Sequence, residues 1–197
     1  MEPAERRKRI VDATLAVLLR KGLAATTVRD VAGEMGTSPG LVHHYFASMD
    51  ELLATAFETA ALGGFEHTRA AVSAVEDPIG RLRAFFASYT RAEQDWAFQL
   101  WLDAWAEAAR RPVLRATSRR LNVAWQQLLV ELIESGTESG AFTCDDPGGA
   151  GWRILSLLDG LALQTVAHKV ALDRVSVVAW SMAHAEHELG LPRGALG

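Results

Sequence analysis

The chain has 197 residues, 49% of them hydrophobic, with 16 Gly and 6 Pro, which excludes a disordered polypeptide and leaves room for one or two domains with a proper core. A net charge of −4 excludes a protein that coats nucleic acid by charge alone, and a single cysteine, Cys144, excludes an intrachain disulfide and suits a reducing cytoplasm. No apolar run has membrane-spanning length and residues 5–9 are charged, with no apolar segment suited to secretion, so a cytoplasmic protein is expected.

Leu, Ala and Val recur at helical spacing and strand-like alternation does not, so the expected fold class is all-α, with about nine helices. The first helix is expected over residues 4–21, with Ile10, Ala13, Thr14, Val17 and Leu18 inward and Gly22 closing it. The next stretch, TVRDVAGEMGTSPGLVHHYFASMDELL (27–53), is the most informative in the chain. Thr27 is a good N-cap, and Asp30 can return the hydrogen bond. Val28, Val31, Ala32 and Met35 then share one helical face, and Gly36 stops the helix. Ser38 is expected to cap a third helix, with Pro39 at its first position, where a missing N–H costs nothing. Ser48, paired with Glu51, is expected to cap a fourth. Helix, short Gly-containing turn, short helix is the layout of a helix-turn-helix, whose second helix enters the DNA major groove. Thr37, Ser38, Pro39, Gly40, His43 and His44 are nearest the groove in that reading, while Val42 and Phe46 belong to the core. Gly40 would let backbone approach DNA closely.

The fourth helix buries Leu53, Ala56, Phe57, Ala60 and Ala61, and the pair Gly63 and Gly64 is expected to bend or break it. Asp77-Pro78 opens a fifth helix, and Asp95 is expected to cap a sixth, which carries Trp96, Phe98, Trp101, Leu102 and Trp105. Pro112 begins a long seventh helix, ended by Gly136 and Gly140, with loop over 141–146. Asp146-Pro147 opens an eighth that is apolar on nearly every side, and Asp173 caps a ninth, stopped by Gly190 and Pro192. The expected domains are a helix-turn-helix DNA-binding head at 1–50 and a ligand-binding and dimerisation body at 51–197, meeting within the fourth helix without a linker. Charge is distributed to match. Residues 1–49 hold seven Lys or Arg against five Asp or Glu, and the rest hold thirteen against nineteen. Arg6, Arg7, Lys8, Arg9, Arg20, Lys21 and Arg29 carry the basic excess, as DNA contact at one end requires.

The pieces TTVRDVA, Gly36, SPGLVHHYF and S-x-x-E-L-L resemble the TetR family of one-component transcriptional regulators, over about residues 6–60. The HHYF ending, and LLDGLALQ at 157–164, are similar to the betaine-regulator branch. The resemblance implies a homodimeric repressor released from its operator by a small-molecule effector. It implies Arg29 as a base reader, and Tyr45 and the fourth helix N-terminus at Ser48 as phosphate contacts. Thr27, at the second helix N-terminus, completes the expected DNA-facing set. Met49 stands where the family usually has Lys, so that phosphate contact is absent or supplied elsewhere.

In the body, Trp96, Trp101, Trp105, Trp125 and Trp152 are candidate effector contacts, with Gln99, Gln164 and His168 as polar partners. Aromatic faces with the nearby carboxylates of Asp103 and Glu107 suit a cationic or quaternary-ammonium ligand, whereas the same rings at helical spacing also suit a plain core. The eighth helix has more apolar surface than one neighbour covers, so the last two helices are expected to form a four-helix dimer interface. His184, His187 and Glu188 lack a matched further ligand, and no catalytic nucleophile elbow or phosphate loop occurs; no metal, cofactor or enzymatic activity is expected. The alternative is a helical ligand-binding or enzymatic protein with a vestigial head, and activation is an alternative to repression.

Overall fold

The computed structural model describes residues 2–89, 95–168 and 172–197. Among these residues the regular structure is entirely helical: α1 (Pro3–Lys21), α2 (Val28–Glu34), α3 (Pro39–Tyr45), α4 (Met49–Ser73), α5 (Pro78–Ala87), α6 (Asp95–Ala108), α7 (Pro112–Glu138), α8 (Pro147–Ala167) and α9 (Arg174–Glu188). Side-chain caps set most of the starts. Thr27 and Asp30 form a reciprocal capping box at α2. Asp77, Asp146 and Asp173 accept from the amides of Gly80, Gly149 and Ser176 at α5, α8 and α9. The expected Asp95 cap lies outside the described residues, because that side chain is not among them.

Three local expectations are corrected. Ser38 holds the N-cap position of α3 with extended backbone, but its side chain makes no capping hydrogen bond. Gly63 and Gly64 do not break α4, which runs unbroken through 25 residues. Gly136 does not end α7, which continues to Glu138; Gly140, at φ +75°, takes the left-handed turn instead. Gly136 is selected by space, since a Cβ there would overlap the Phe142 ring.

The chain forms two compact units, one of residues 1–63 with 99–121, the other of residues 64–98 with 122–197. The divisions therefore fall within helices α4, α6 and α7. The first unit is built on Ile10, Leu18, Leu23, Val31, Val42, Phe46, Leu52, Leu53 and Phe57, with Leu100, Ala104, Leu114 and Leu121 from further along the chain. The second is built on Leu82, Phe85, Phe86, Leu129, Ile133, Ile154, Leu158, Val178 and Leu189. Its C-terminus is latched by Glu186, 5% exposed, which accepts from the amides of Gly194 and Leu196 at 2.9 and 2.8 Å.

Candidate nucleic-acid interface and aromatic cluster

Helices α2 and α3 pack against each other and α2 against α1, and the turn between α2 and α3 is tight. Gly36 there has φ +63°, and the Thr37 amide donates to the Ala32 carbonyl at 2.9 Å. A Cβ on Gly36 would meet nothing, so the left-handed backbone alone calls for glycine. The exposed face carries Ser38, Pro39, Gly40, His43 and His44, with Thr37 and Tyr45 half-buried. Tyr45 lies edge-on to His44, ring centroids 5.2 Å apart. Gly40 is not required by its own fold, since a Cβ there would meet only Ser38 Oγ at an ordinary 3.8 Å. An exposed helical glycine with no internal reason costs stability, which fits a surface kept smooth for a partner. The Ser38 hydroxyl, released from capping, is available to the same partner.

Arg29 is exposed and has no ion pair or hydrogen bond among the described residues. The neighbouring cations differ. Arg20 pairs with Glu34 and Lys21 with Asp30, each at 2.6 Å, fastening the end of α1 to α2. Lys8 pairs with Asp12 at 2.7 Å. Arg7 lies 4.3 Å over the Phe46 ring and faces Glu51 at 3.5 Å. Much of the basic excess therefore holds the first unit together. Lys21 first, and then the Thr27 hydroxyl and amide, hold the Asp30 carboxyl down at about 2. Thr27 is exposed but engaged in that box.

At α4 the Ser48 hydroxyl oxygen accepts from the Glu51 amide at 3.1 Å, and Glu51 accepts from the Ala47 amide at 2.9 Å, one residue earlier than a reciprocal box would have it. Met49 packs against the first unit's core. Several contributors to this unit were not legible in sequence. Asp103 accepts from the Leu23 amide at 3.1 Å, just beyond the end of α1, and from Gln99 at 2.8 Å. Arg111 bridges Asp50 and Glu107, and Arg120 pairs with Glu58 at 2.9 Å. All are separated by more than fifty residues from the partners they fix or arise on a later helix, so no local pattern announces them.

The candidate effector residues divide between the units. Trp101 and Trp105 belong to the first, 5.6 Å apart, with Trp101 edge-on to the fully buried Phe57 at 4.9 Å. Trp125 belongs to the second, within a ring group in which it meets Phe65 at 5.3 Å, Tyr89 at 5.9 Å and Phe85 at 6.1 Å. Phe98 joins through Tyr89 at 6.0 Å, and the Arg174 guanidinium lies 5.2 Å over Phe98. Trp96 and Trp152 are each 40% exposed, and Gln164 and His168 are exposed. Sequence reasoning passed over Asp159 on α8. Burial lifts its carboxyl to about 7, and with burial it pushes the Tyr89 phenol well up. Among the described residues no group of three or more His, Cys, Asp or Glu could hold a metal ion; His184 faces Glu188 at 3.8 Å.

The family of bacterial regulatory proteins, tetR family, matches residues 10–56, and that described as BetI-type transcriptional repressor, C-terminal, matches residues 78–190. The HTH-type transcriptional regulator BetI of Rhizobium meliloti is 29% identical over 203 residues, 98% of this chain and 97% of that protein. The regulator of the same name from Paraburkholderia phytofirmans is 36% identical over 124 residues, 59% of this chain; the chain spans 64% of that relative's length. A transcriptional regulator from Saccharomonospora viridis, solved in complex with choline, has the same fold, with a TM-score of 0.85 and 23% identity over 94% of this chain and 98% of that one.

Proposed function

Because the chain belongs to the TetR family, with a C-terminal region of the BetI-type transcriptional repressors, we propose that it is a cytoplasmic, homodimeric repressor released from its operator by a small organic cation. Members of this family are transcriptional regulators and not enzymes. The observation that carries the reading is the first unit's outer face: Arg29 without an internal partner, a smooth Gly40, an unengaged Ser38 hydroxyl and two exposed histidines at the start and along one short helix. Arg29 and the histidines read base edges, while Ser38, Tyr45 and the α4 N-terminus at Ser48 meet phosphates. With Met49 in the core, the α4 amides supply the phosphate contact that a lysine would otherwise make.

An operator with two-fold symmetry needs two heads about 34–36 Å apart. We assign the dimer contact to α8 and α9, which pack together in the second unit and still leave Trp152, Val175 and Trp180 at 40%, 74% and 52% exposure. The cationic class of effector is supported by aromatic rings beside a carboxylate in this chain, and by the choline held in a neighbour of the same fold. Effector binding in the second unit alters head spacing through the helices that the units share. No helix among the described residues is long and apolar enough to cross a membrane, in keeping with this reading.

Selection from a random DNA pool, followed by mobility shifts, tests the proposal. A palindromic or pseudo-palindromic sequence is enriched, and binding weakens as salt rises because phosphate contacts release counterions. Arg29→Ala costs roughly 1–3 kcal/mol on the selected sequence and relaxes its preference. Enrichment of no symmetric sequence overturns the repressor reading, and equal loss on operator and random DNA removes Arg29 from the bases.

A further inference from the structure

Carboxylates beside aromatic rings occur in both units, and their partners separate them. In the first unit, Asp103 already accepts from the Leu23 amide and Gln99, and Glu107 already holds Arg111 and faces Arg110 at 3.6 Å. Those negative charges are spent inside the fold. Trp101, wedged against Phe57, has the surroundings of a core ring. A cation arriving there would have to break existing pairs.

In the second unit the situation is reversed. Asp159 has no hydrogen bond or ion pair among the described residues, and neither does the Tyr89 hydroxyl. No fully enclosed side-chain oxygen or nitrogen among the described residues lacks a partner. The Asp159 carboxyl and the Tyr89 hydroxyl, both on half-buried residues, therefore open onto space that a small molecule reaches. The two groups are near enough for Asp159 to act on the phenol. Tyr89 is packed with Phe85, Phe98 and Trp125, so the carboxyl stands beside a wall of rings. Burial raises Asp159 with no cation to lower it again; the guanidinium of Arg174, on the Phe98 ring and donating to the Tyr89 carbonyl at 3.4 Å, leaves it unrelieved. A half-desolvated carboxylate without a partner is costly unless something cationic arrives to pair with it.

We propose that Asp159, with Tyr89, Phe98 and Trp125, forms the effector site of the second unit and that it takes a small organic monocation whose charge is masked by alkyl groups, such as a quaternary ammonium. The rings present their negative faces to the alkylated charge, and Asp159 supplies the counter-charge that a neutral ligand would not need. A primary ammonium, strongly hydrated, gains less from rings that offer no hydrogen-bond acceptor. The site rests on the effector-responsive reading given above but is tested without DNA.

The test is direct titration of the full-length protein with choline by calorimetry and by intrinsic tryptophan fluorescence. The comparison ligand is the uncharged tert-butyl analogue, in which carbon replaces the quaternary nitrogen. Choline binds at least tenfold more tightly than the analogue, and Asp159→Asn erases that preference. Trp125→Leu weakens choline and abolishes most of the fluorescence change, whereas Asp145→Asn, in an exposed loop, leaves choline affinity as it was. Equal affinity for choline and its uncharged analogue in the wild-type protein, which needs no variant to fold, overturns the proposal, as does a folded Asp159→Asn that retains the preference. Operator binding measured separately keeps the outcomes apart. Intact operator binding without a choline preference defeats the site and spares the repressor; a choline preference without operator binding does the reverse.

Discussion

At the scale of single residues, partners decide roles more than residue types do. Arg20, Lys21 and Arg29 have the same charge within ten positions, yet the first two are fastened to Glu34 and Asp30 and only Arg29 is left to reach outward. The aspartates divide similarly. Asp30 is stabilised as a carboxylate by Lys21 and Thr27, whereas Asp159 is destabilised as one by burial. The second case makes a prediction about pH. With its carboxyl raised to about 7 from the ordinary 3.8, the folded state holds a proton that the unfolded chain has released. Stability therefore falls as pH rises from 3.8 towards 7 and then levels. Asp159→Asn removes that slope. Ligand-free thermal or urea unfolding above pH 7 shows the variant more stable by roughly 1–3 kcal/mol, and the difference vanishes in acid below 3.8. A variant no more stable than the parent in alkaline buffer means that Asp159 is not held in a costly state.

At the scale of elements, most starts were legible and several interiors were not. Thr27, Asp77, Asp146 and Asp173 cap where their local sequence says they should, because a cap needs only an oxygen and an amide two or three residues on. Glycines are harder, because one letter stands for three different physical causes. Gly36 answers to backbone, at φ +63°, and Gly136 to space, under Phe142. Gly63 and Gly64 answer to neither: a Cβ on either meets nothing, and α4 runs through them. Local composition predicted a break there because it could not see the burial of Phe57 and Ala61 before the pair and Thr68 and Val72 after it, which hold the helix on both sides. Alanine substitution separates these causes by thermal unfolding. Gly63→Ala raises stability by roughly 0.5–1 kcal/mol, from lower backbone entropy in the unfolded chain. Gly136→Ala lowers it by about 1–3 kcal/mol, since the Phe142 ring must leave a packed position. A destabilised Gly63→Ala means that α4 needs glycine for a conformation other than the straight helix.

At the scale of the whole molecule, the all-α class and the helix-turn-helix were readable because they rest on period and caps, which are local. Membership of residues 99–121 in the first unit was not, because it depends on pairs such as Asp103 with the Leu23 amide and Arg120 with Glu58, distant in sequence. The effector residues were partly legible for the same reason: Trp125 could be nominated as an aromatic, but nothing near it in sequence points to Asp159, which lies on another helix. Dimerisation belongs to this scale, and the proposed surface on α8 and α9 carries the last prediction. Trp180, 52% exposed on a helix whose other side packs on α8, has no counterpart within its own chain that would account for so large an apolar side chain in water. Placing a charge there leaves the monomer's core untouched, because Val177, Val178, Ser181 and Ala185 hold the buried face. Trp180→Glu therefore stays folded by circular dichroism but runs as a monomer in light scattering at micromolar concentration. Two heads on one operator bind as a linked pair, so the monomer loses about a hundredfold or more in operator affinity while its contact with a single half-site persists. A Trp180→Glu protein that remains dimeric and binds the full operator as the parent does places the interface on another face.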